Sequence, residues 1–476
     1  MKILMTGATG IIGKEIGKVL AGRGHELVVI TRCETKDREI LPFPAEILEL
    51  DLVNNFAVES AIAALKDTSA GVATHSDYFK YKQLKSIDAV INLMGEPVVG
   101  PRWTENLKQK IYDSRVKGTR NLVALLPSTL KAFISGSAIG YYGNCNDEVC
   151  FEDRKAGSDF LAQLTLDWEK EAAKAPGRKC FVRTGLVLSR DGGALKQMLF
   201  PFKAGVGGIL GDGSQWMSWI HIKDIVELFV WALEKNIEGP LNGVAPSPVT
   251  NKDFSKALAT HLGKSLGPPV PKAALRSIYG EAADTISSSI RASAEKVESL
   301  GYSFHFTDLD EALKDVCSPW KNGEEFFYTE QFVPLPPEKL FPFFKEPHNL
   351  ERITPPTLHF QVLGISTPEL EQGTLIDYHL KIHGLPAKWQ TEIDEWQPPY
   401  KFVDNQRRGP YRMWHHTHEF RPFCGGTLMV DQVRYRLPLG YVGWLLGSSF
   451  VNKDVKEIFR FRRQYISRMT TEDRKS

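Results

Sequence analysis

At 476 residues, 42 % of them hydrophobic, the chain can bury large cores and is expected to form two or three domains. Lys and Arg number 59 against 57 Asp and Glu, and a net charge of +2 provides no basic or acidic field that would draw nucleic acid. Six cysteines without a CxxC pair argue against a disulfide framework or a zinc site and fit free thiols in a reducing compartment.

Met1 to Gly13, MKILMTGATGIIG, set a buried strand, a glycine turn and a helix start in direct succession. Strand residues begin at once, so no signal peptide is expected; no apolar stretch reaches the ~18 residues of a membrane span, and the expected location is the cytoplasm. Ile3, Leu4 and Met5 read as the first strand of a parallel sheet, and Ile12, Ile16, Val19 and Leu20 as the buried stripe of the helix. Gly7 allows the tight turn, Gly10 lets backbone approach a pyrophosphate, and Gly13 lets the helix pack on the strand, so phosphates would meet a helix N-terminus with free N–H groups. The equal spacing of the glycines departs from GxGxxG.

Glu26 to Thr31 (ELVVIT) is a second buried strand. An acidic residue at its end would hold a ribose 2′-hydroxyl, whereas arginine accommodates a 2′-phosphate. Thr31 and Arg32 stand there, which favours NADP(H) over NAD(H). Glu46 to Leu52 ends in Asp51 and Leu52, and Ile87 to Gly95 ends in Asn92, Leu93, Met94 and Gly95, polar tips at the edge where a cofactor would cross. Lys66 to Lys85 has no clear period and reads as a surface excursion.

The order TGATGIIG, DL, NLMG resembles the extended short-chain dehydrogenase/reductase superfamily. PRWTENLKQKIYDSR, SGSAIGYYG, DFLAQLTLDWEKEA, VRTGLVLSRDGGAL, GVGGILGDGSQWMSWIHIKD and LNGVAPSPVTN resemble its atypical branch named for nucleoside-diphosphate-sugar epimerases, over about residues 1–317. The resemblance implies a Rossmann-like, doubly wound α/β sheet with a small substrate lobe mainly in 185–317. It implies that Gly7, Gly10, Ile12 and Gly13 hold the pyrophosphate, Thr31 and Arg32 the 2′-phosphate, Asp51 and Leu52 the adenine, and Leu93, Met94 and Gly95 the adjacent ribose. Arg115 would face the cofactor and Val187 the nicotinamide side.

Oxidoreductases of this superfamily move a proton through the tyrosine of YxxxK, with a serine or threonine polarising the substrate oxygen. Aligning Trp168 and Glu169 with the pair that follows that motif puts Leu161 at the tyrosine and Thr165 at the lysine. Neither can do the chemistry. The usual hydroxyl position is Ala138, with Ser137 one residue earlier. Ser137, Tyr141, Tyr142 and His221 are the catalytic candidates, each with a packing or hydrogen-bonding role as its alternative.

After a linker at 318–323, residues 324–476 change rhythm. Phe326 to Val333 reads as a strand and Pro336 to Ile353 as an amphipathic helical stretch. Six strands follow, Leu358 to Ile365, Thr374 to Ile382, Ala387 to Trp396, Lys401 to Gln406, Met413 to Arg421 and Thr427 to Leu437, and then a helix from about Phe450 to Arg468. This order, with HNLERITPP and RYRLPLG, resembles the START-like polyketide cyclase/dehydrase superfamily, an α+β helix-grip fold that implies an apolar ligand. Phe360, Tyr378, Leu380, Trp389, Trp396, Trp414 and Tyr435 are candidates to line its cavity or to be ordinary core. His416 and His418 share a strand face, but no neighbouring carboxylate or cysteine completes a ligand set, so no metal is expected. Arg460, Arg462, Arg463 and Arg468 read as a solvated helix face.

Two functions fit. One is an NADP(H)-dependent epimerase or reductase of a sugar-nucleotide or other carbonyl substrate, working without YxxxK. The other is a protein that holds NADP(H) without turnover and couples it to a hydrophobic ligand of the C-terminal domain.

Overall fold

The computed structural model describes residues 1–66, 80–100 and 102–472. The chain forms two compact units, Met1–Glu34 with Ala45–Ser318, and Thr35–Pro44 with Pro319–Ser476. No composition shift announces that 35–44 go with the second unit. Among the described residues, no helix is long and apolar enough to cross a membrane.

The first unit is built on a seven-stranded sheet in the order Gly239–Gly243, Arg178–Thr184, Ala132–Ala138, Ala89–Asn92, Lys2–Thr6, Glu26–Thr31, Glu46–Glu49. Every pairing in it is parallel. Ile3, Leu4, Met5, Val90, Ile91, Phe133 and Ile134 are fully buried, as strands covered on both faces require. The strand order reverses between Lys2–Thr6 and Ala89–Asn92, the place where a crevice opens at the carboxyl ends of a doubly wound sheet.

A buried polar ladder fixes those ends. Thr6 Oγ1 donates to Asn92 Oδ1 at 2.7 Å, and Asn92 Nδ2 donates to Thr119 Oγ1 at 3.0 Å and Ser135 Oγ at 3.1 Å. Satisfied on each side in a low dielectric, Asn92 locks three neighbouring elements in register.

The helix Ile11–Gly22 buries Gly13, Ile16, Gly17, Leu20 and Ala21. Ile12 and Val19, expected in that stripe, are half-buried. The stripe is rotated because Gly13, with no side chain, is the residue pressed against the turn. The helix ends where Gly24 takes φ +79° and donates to Ala21 O while His25 N donates to Leu20 O, a Schellman closure. Of the interval 66–85, residues 67–79 lie outside the described residues; Tyr81 and Leu84 are buried in the core, so its end is no surface excursion.

The second unit contains a seven-stranded antiparallel sheet in the order Glu325–Val333, Gly426–Arg436, Met413–Phe423, Lys401–Arg408, Leu385–Gln397, Leu375–Ile382, Gln361–Ile365. The expected helix over 336–353 is two helices, Pro337–Lys345 and Asn349–Arg352, because Glu346 precedes Pro347 and is forced out of helical backbone. The final helix spans Gly440–Glu472, ten residues earlier in its start than the apolar period suggested. Leu340, Phe341, Phe344 and Ile466 pack with Ile376, Ile393, Phe402 and Phe420 of the sheet into one core. The aromatics named above lean on one another: ring centroids lie 5.4 Å apart for Trp389 and Trp414, 5.8 Å for Trp414 and Tyr435, and 4.9 Å for Phe360 and Tyr378.

Candidate functional site

The glycine turn sits against the tip of the neighbouring strand. Gly7 adopts φ +66°, and a Cβ there would lie 2.3 Å from Leu93 O and 3.0 Å from Met94 N, so glycine alone permits the approach. A Cβ on Gly13 would lie 2.3 Å from Gly7 O and 2.8 Å from Ala8 Cα. Gly10 differs. Its Cβ would meet only Gly7 O, at 3.2 Å, and no side chain caps the helix that starts after it. The first-turn N–H groups therefore have no side-chain acceptor at the positive end of the helix dipole, an arrangement that can hold an anion.

A half-buried cation stands beside this turn. The helical stretch Glu105–Tyr112 runs into a π turn, Asp113–Lys117, before continuing as Gly118–Ala124. Such an extra residue per turn re-aims a side chain, and here Arg115 and Ser114 both grip the chain after Met94. Glu96 N donates to Ser114 Oγ at 2.9 Å, and Arg115 Nη1 donates to Glu96 O at 2.9 Å. The Arg115 guanidinium lies over the Trp168 ring at 5.4 Å and so close to Gly95 that a Cβ there would be 2.6 Å from its central carbon. Burial pulls Arg115 down to about 10. Trp168 Nε1 donates to Thr119 Oγ1 at 3.0 Å, tying this stack to the Asn92 ladder.

The remaining residues expected at a cofactor site gather around the same edge. Arg32 is exposed and pairs with Glu96 at 2.9 Å, a contact weak enough for a stronger anion to replace. Thr31 is buried and its carbonyl accepts from Leu50 N. Asp51 Oδ1 accepts from Val53 N, and Leu52 is buried with its carbonyl bonded by Asn121. Val187 lies in the short strand Leu186–Leu188; the chain that follows brings Gly192 so near the helix start that its Cβ would sit 2.5 Å from Ile11 Cγ2. Glu96, Ser114 and Trp168 were not among the expected site residues. Ser114 and Glu96 could have been found from their places next to Arg115 and Gly95 in the sequence; Trp168 had no such neighbour.

Two of the catalytic candidates, Ser137 and Tyr142, are committed to a buried network. Arg183, 3 % exposed, donates from Nε and Nη2 to the two oxygens of Glu169, each at 2.9 Å. Ser137 Oγ donates to Glu169 Oε1 at 2.5 Å. Arg183 Nη1 donates to Tyr142 Oη at 3.0 Å, and that phenol donates to Asn242 Oδ1 at 2.7 Å. Burial pushes the Tyr142 phenol above its usual range. Tyr141 lies under the Arg183 guanidinium, 3.5 Å from it. Leu161 packs against Gly140, and Thr165 Oγ1 donates back to Leu161 O at 2.7 Å. At these two positions of the helix Phe160–Ala172 there is neither phenol nor amine.

His221 caps the helix Ile222–Glu234: its Nδ1 accepts from Lys223 N at 3.2 Å. That fixes the proton on Nε2, which donates to Asp315 Oδ2 at 3.2 Å. Burial lowers His221 from 6.5 to about 4, against the opposite pull of Asp315. Between those values the unfolded chain binds the proton and the folded chain does not, so this contribution is complete above pH 6.5 and disappears as pH falls toward 4, by about 3 kcal/mol at most. His221→Asn keeps a capping acceptor but cannot titrate. Urea unfolding of the variant followed from pH 7 to 4 should show a shallower loss of stability than the wild type, and an equal slope would mean that folding does not lower the affinity of His221 for its proton.

In the second unit the expectation that no carboxylate accompanies His416 and His418 is corrected. Asp404, on the adjacent strand, lies directly opposite His416, and its Oδ2 is 2.8 Å from His418 Nε2. Arg462 is likewise no solvated residue. It is 5 % exposed and pairs with Asp431 at 3.2 Å, while Arg460 and Arg468 are exposed.

Residues 3–244 match the NAD dependent epimerase/dehydratase family, and 270–316 match a domain of unknown function, DUF1731. The epimerase family protein SDR39U1 of Mus musculus is 34 % identical over 67 % of this chain and its own full length. Epimerase family protein YfhF of Bacillus subtilis is 32 % identical over 67 % of this chain and 99 % of its own. A crystal structure of human SDR39U1 with NADPH is 30 % identical, with a TM-score of 0.55 over 67 % of this chain and 99 % of that one. With a parallel sheet, a glycine turn at its switch point and these relatives, the chain belongs to the NAD dependent epimerase/dehydratase family.

Proposed function

We propose that the first unit holds NADP(H) across the glycine turn and exchanges hydride with a carbonyl carbon of a sugar-nucleotide or similar small substrate. The observation that carries this reading is the open face at Gly10, where a Cβ would meet only Gly7 O and no side chain caps the helix that follows, with Arg115 packed on Gly95 beside the strand tip that Gly7 touches. In it Gly7, Gly10, Ile12 and Gly13 bind the pyrophosphate, Leu93, Met94 and Gly95 the ribose, Asp51 and Leu52 the adenine, Thr31 and Arg32 the 2′-phosphate, and Val187 the nicotinamide side. The NADPH in the structure of the human relative supports the choice of cofactor. When bound, the nicotinamide supplies or accepts the hydride. The chain's own part is to orient it and exclude water.

Arg32 decides the cofactor. A 2′-phosphate replaces the Glu96 carboxylate as its partner with a stronger, doubly charged acceptor. Arg32→Asp should weaken NADPH about 10- to 100-fold while leaving NADH nearly unchanged, read by NADPH fluorescence enhancement. Equal affinity of the wild type for both carriers would refute the assignment.

A second reading, binding without turnover, is favoured by one group of contacts: Ser137, Tyr142 and His221 each serve a structural partner, and Leu161 and Thr165 stand where a proton relay would. The second unit, with its antiparallel sheet and long final helix, would then act as a START-like binder of an apolar ligand. Stereospecific transfer from 4-deuterated NADPH to a panel of carbonyl compounds separates the readings; tightly bound cofactor with no transfer supports the second.

A further inference from the structure

The second unit holds two histidines and two aspartates on one face of its sheet, from three adjacent strands. Asp404 pairs across with His416, and His418 with Asp431. Asp431 Oδ1 lies 3.1 Å from His416 Nε2 and 3.2 Å from His418 Nδ1. The other nitrogen of each ring faces a single atom. Asp404 Oδ2 is 3.6 Å from His416 Nδ1 and 2.8 Å from His418 Nε2.

We propose that Asp404 Oδ2, His416 Nδ1 and His418 Nε2 form a binding site for a divalent transition-metal ion of the zinc or iron(II) class, with Asp431 orienting both imidazoles. The spacing suits such an ion: tetrahedral ligands about 2.0–2.1 Å from zinc lie roughly 3.3 Å from one another. The two edges above fall on either side of that separation, and all three ligand atoms lie within 4.8 Å of one another. Two imidazoles and one carboxylate leave further positions for water or a ligand oxygen. A carboxylate on the remote ring nitrogens is the arrangement that fixes tautomers in metal sites.

Charge points the same way. Asp431 has Arg462 as its direct ion-pair partner, whereas among the described residues Asp404 is in direct contact with the two imidazoles and feels Arg462 only through its field. Arg462 Nη2 also lies 3.1 Å from His418 Nδ1. Without the ion that nitrogen accepts from Arg462, and Nε2–H donates to Asp404. Binding moves one proton from Nε2 to Nδ1, which then donates to Asp431 Oδ1 while Arg462 Nη2 gives up that nitrogen and Nη1 keeps its pairing with Asp431, so the Nε2 lone pair turns to the metal with no net proton release. Phe402, stacked on His418 at 3.9 Å, and Phe459, 5.2 Å from His416, give the site an apolar shell.

Full-length protein treated with a chelator and then titrated with Zn²⁺ should take up one ion per chain, and Co²⁺ in its place should develop intense visible bands of a low-coordinate site. His416→Ala with His418→Ala should weaken binding at least 100-fold. Asp431→Asn, with all three ligands intact, should weaken it about 10- to 100-fold. His415→Ala, on the opposite face of the same strand and bonded to Asn405, should change nothing. If the double variant loses its near-UV dichroism, Asp404→Asn takes its place. No stoichiometric uptake by the wild type, or undiminished uptake by the folded ligand variant, overturns the site.

Discussion

Replacing Arg183 with Met is expected to destabilise the first unit by about 3–5 kcal/mol, the usual consequence of removing one partner of a buried ion pair. The methionine fills the space of the arginine stem, so the loss is electrostatic. Among the described residues Glu169 would keep the Ser137 hydroxyl as its remaining side-chain donor, and Tyr142 Oη would lose its donor. Arg183→Met combined with Glu169→Gln should recover a large part of the loss, because the stranded charge goes with its partner. Urea unfolding of both variants, followed by a probe in the first unit, checks this. A loss under 1 kcal/mol for Arg183→Met would mean water reaches Glu169, and the network would then be an accessible polar site instead of a packed one. The outcome bears on chemistry: a dry, fully bonded Tyr142 holds its proton too firmly to serve as an acid.

The first unit was legible where neighbours in space are also neighbours in sequence. Ile3 to Met5 and Leu27 to Ile30 are buried on both faces and so read as unbroken apolar runs; Gly7 and Gly13 stand at two positions of the turn where backbone meets backbone. What stayed hidden arises laterally. Asp404 belongs with His416 only through an antiparallel register, which no spacing within one strand contains. Arg462 looked solvated because three other arginines surround it in sequence, yet a helix turns each of four consecutive residues to a different side, and this one meets Asp431. The π turn at Arg115 hid for a related reason: the helical period continues on both sides of it, and the extra residue shows only in where the guanidinium lands.

Alanine at Gly7 and at Gly10 should separate a glycine needed for folding from one needed for binding. Gly7→Ala forces a left-handed backbone on alanine and drives its Cβ into Leu93 O, whose own amide is bonded to Thr6 O and Thr6 Oγ1 at 3.2 Å each. The strand tip cannot retreat without breaking those bonds, so a stability loss of about 2–4 kcal/mol is expected, together with loss of NADPH binding. Gly10→Ala meets one atom at 3.2 Å in an ordinary extended conformation, φ −72°, and should fold with stability within about 1 kcal/mol of the wild type. Its methyl group nonetheless fills the space that pyrophosphate oxygens need to reach the helix amides, so NADPH affinity should fall roughly 100-fold as charge-assisted hydrogen bonds lengthen. Calorimetry on the folded Gly10→Ala protein reads this directly. Wild-type affinity in that variant would show that the phosphates do not cross the helix start, and the dinucleotide reading of the crevice would fall with it.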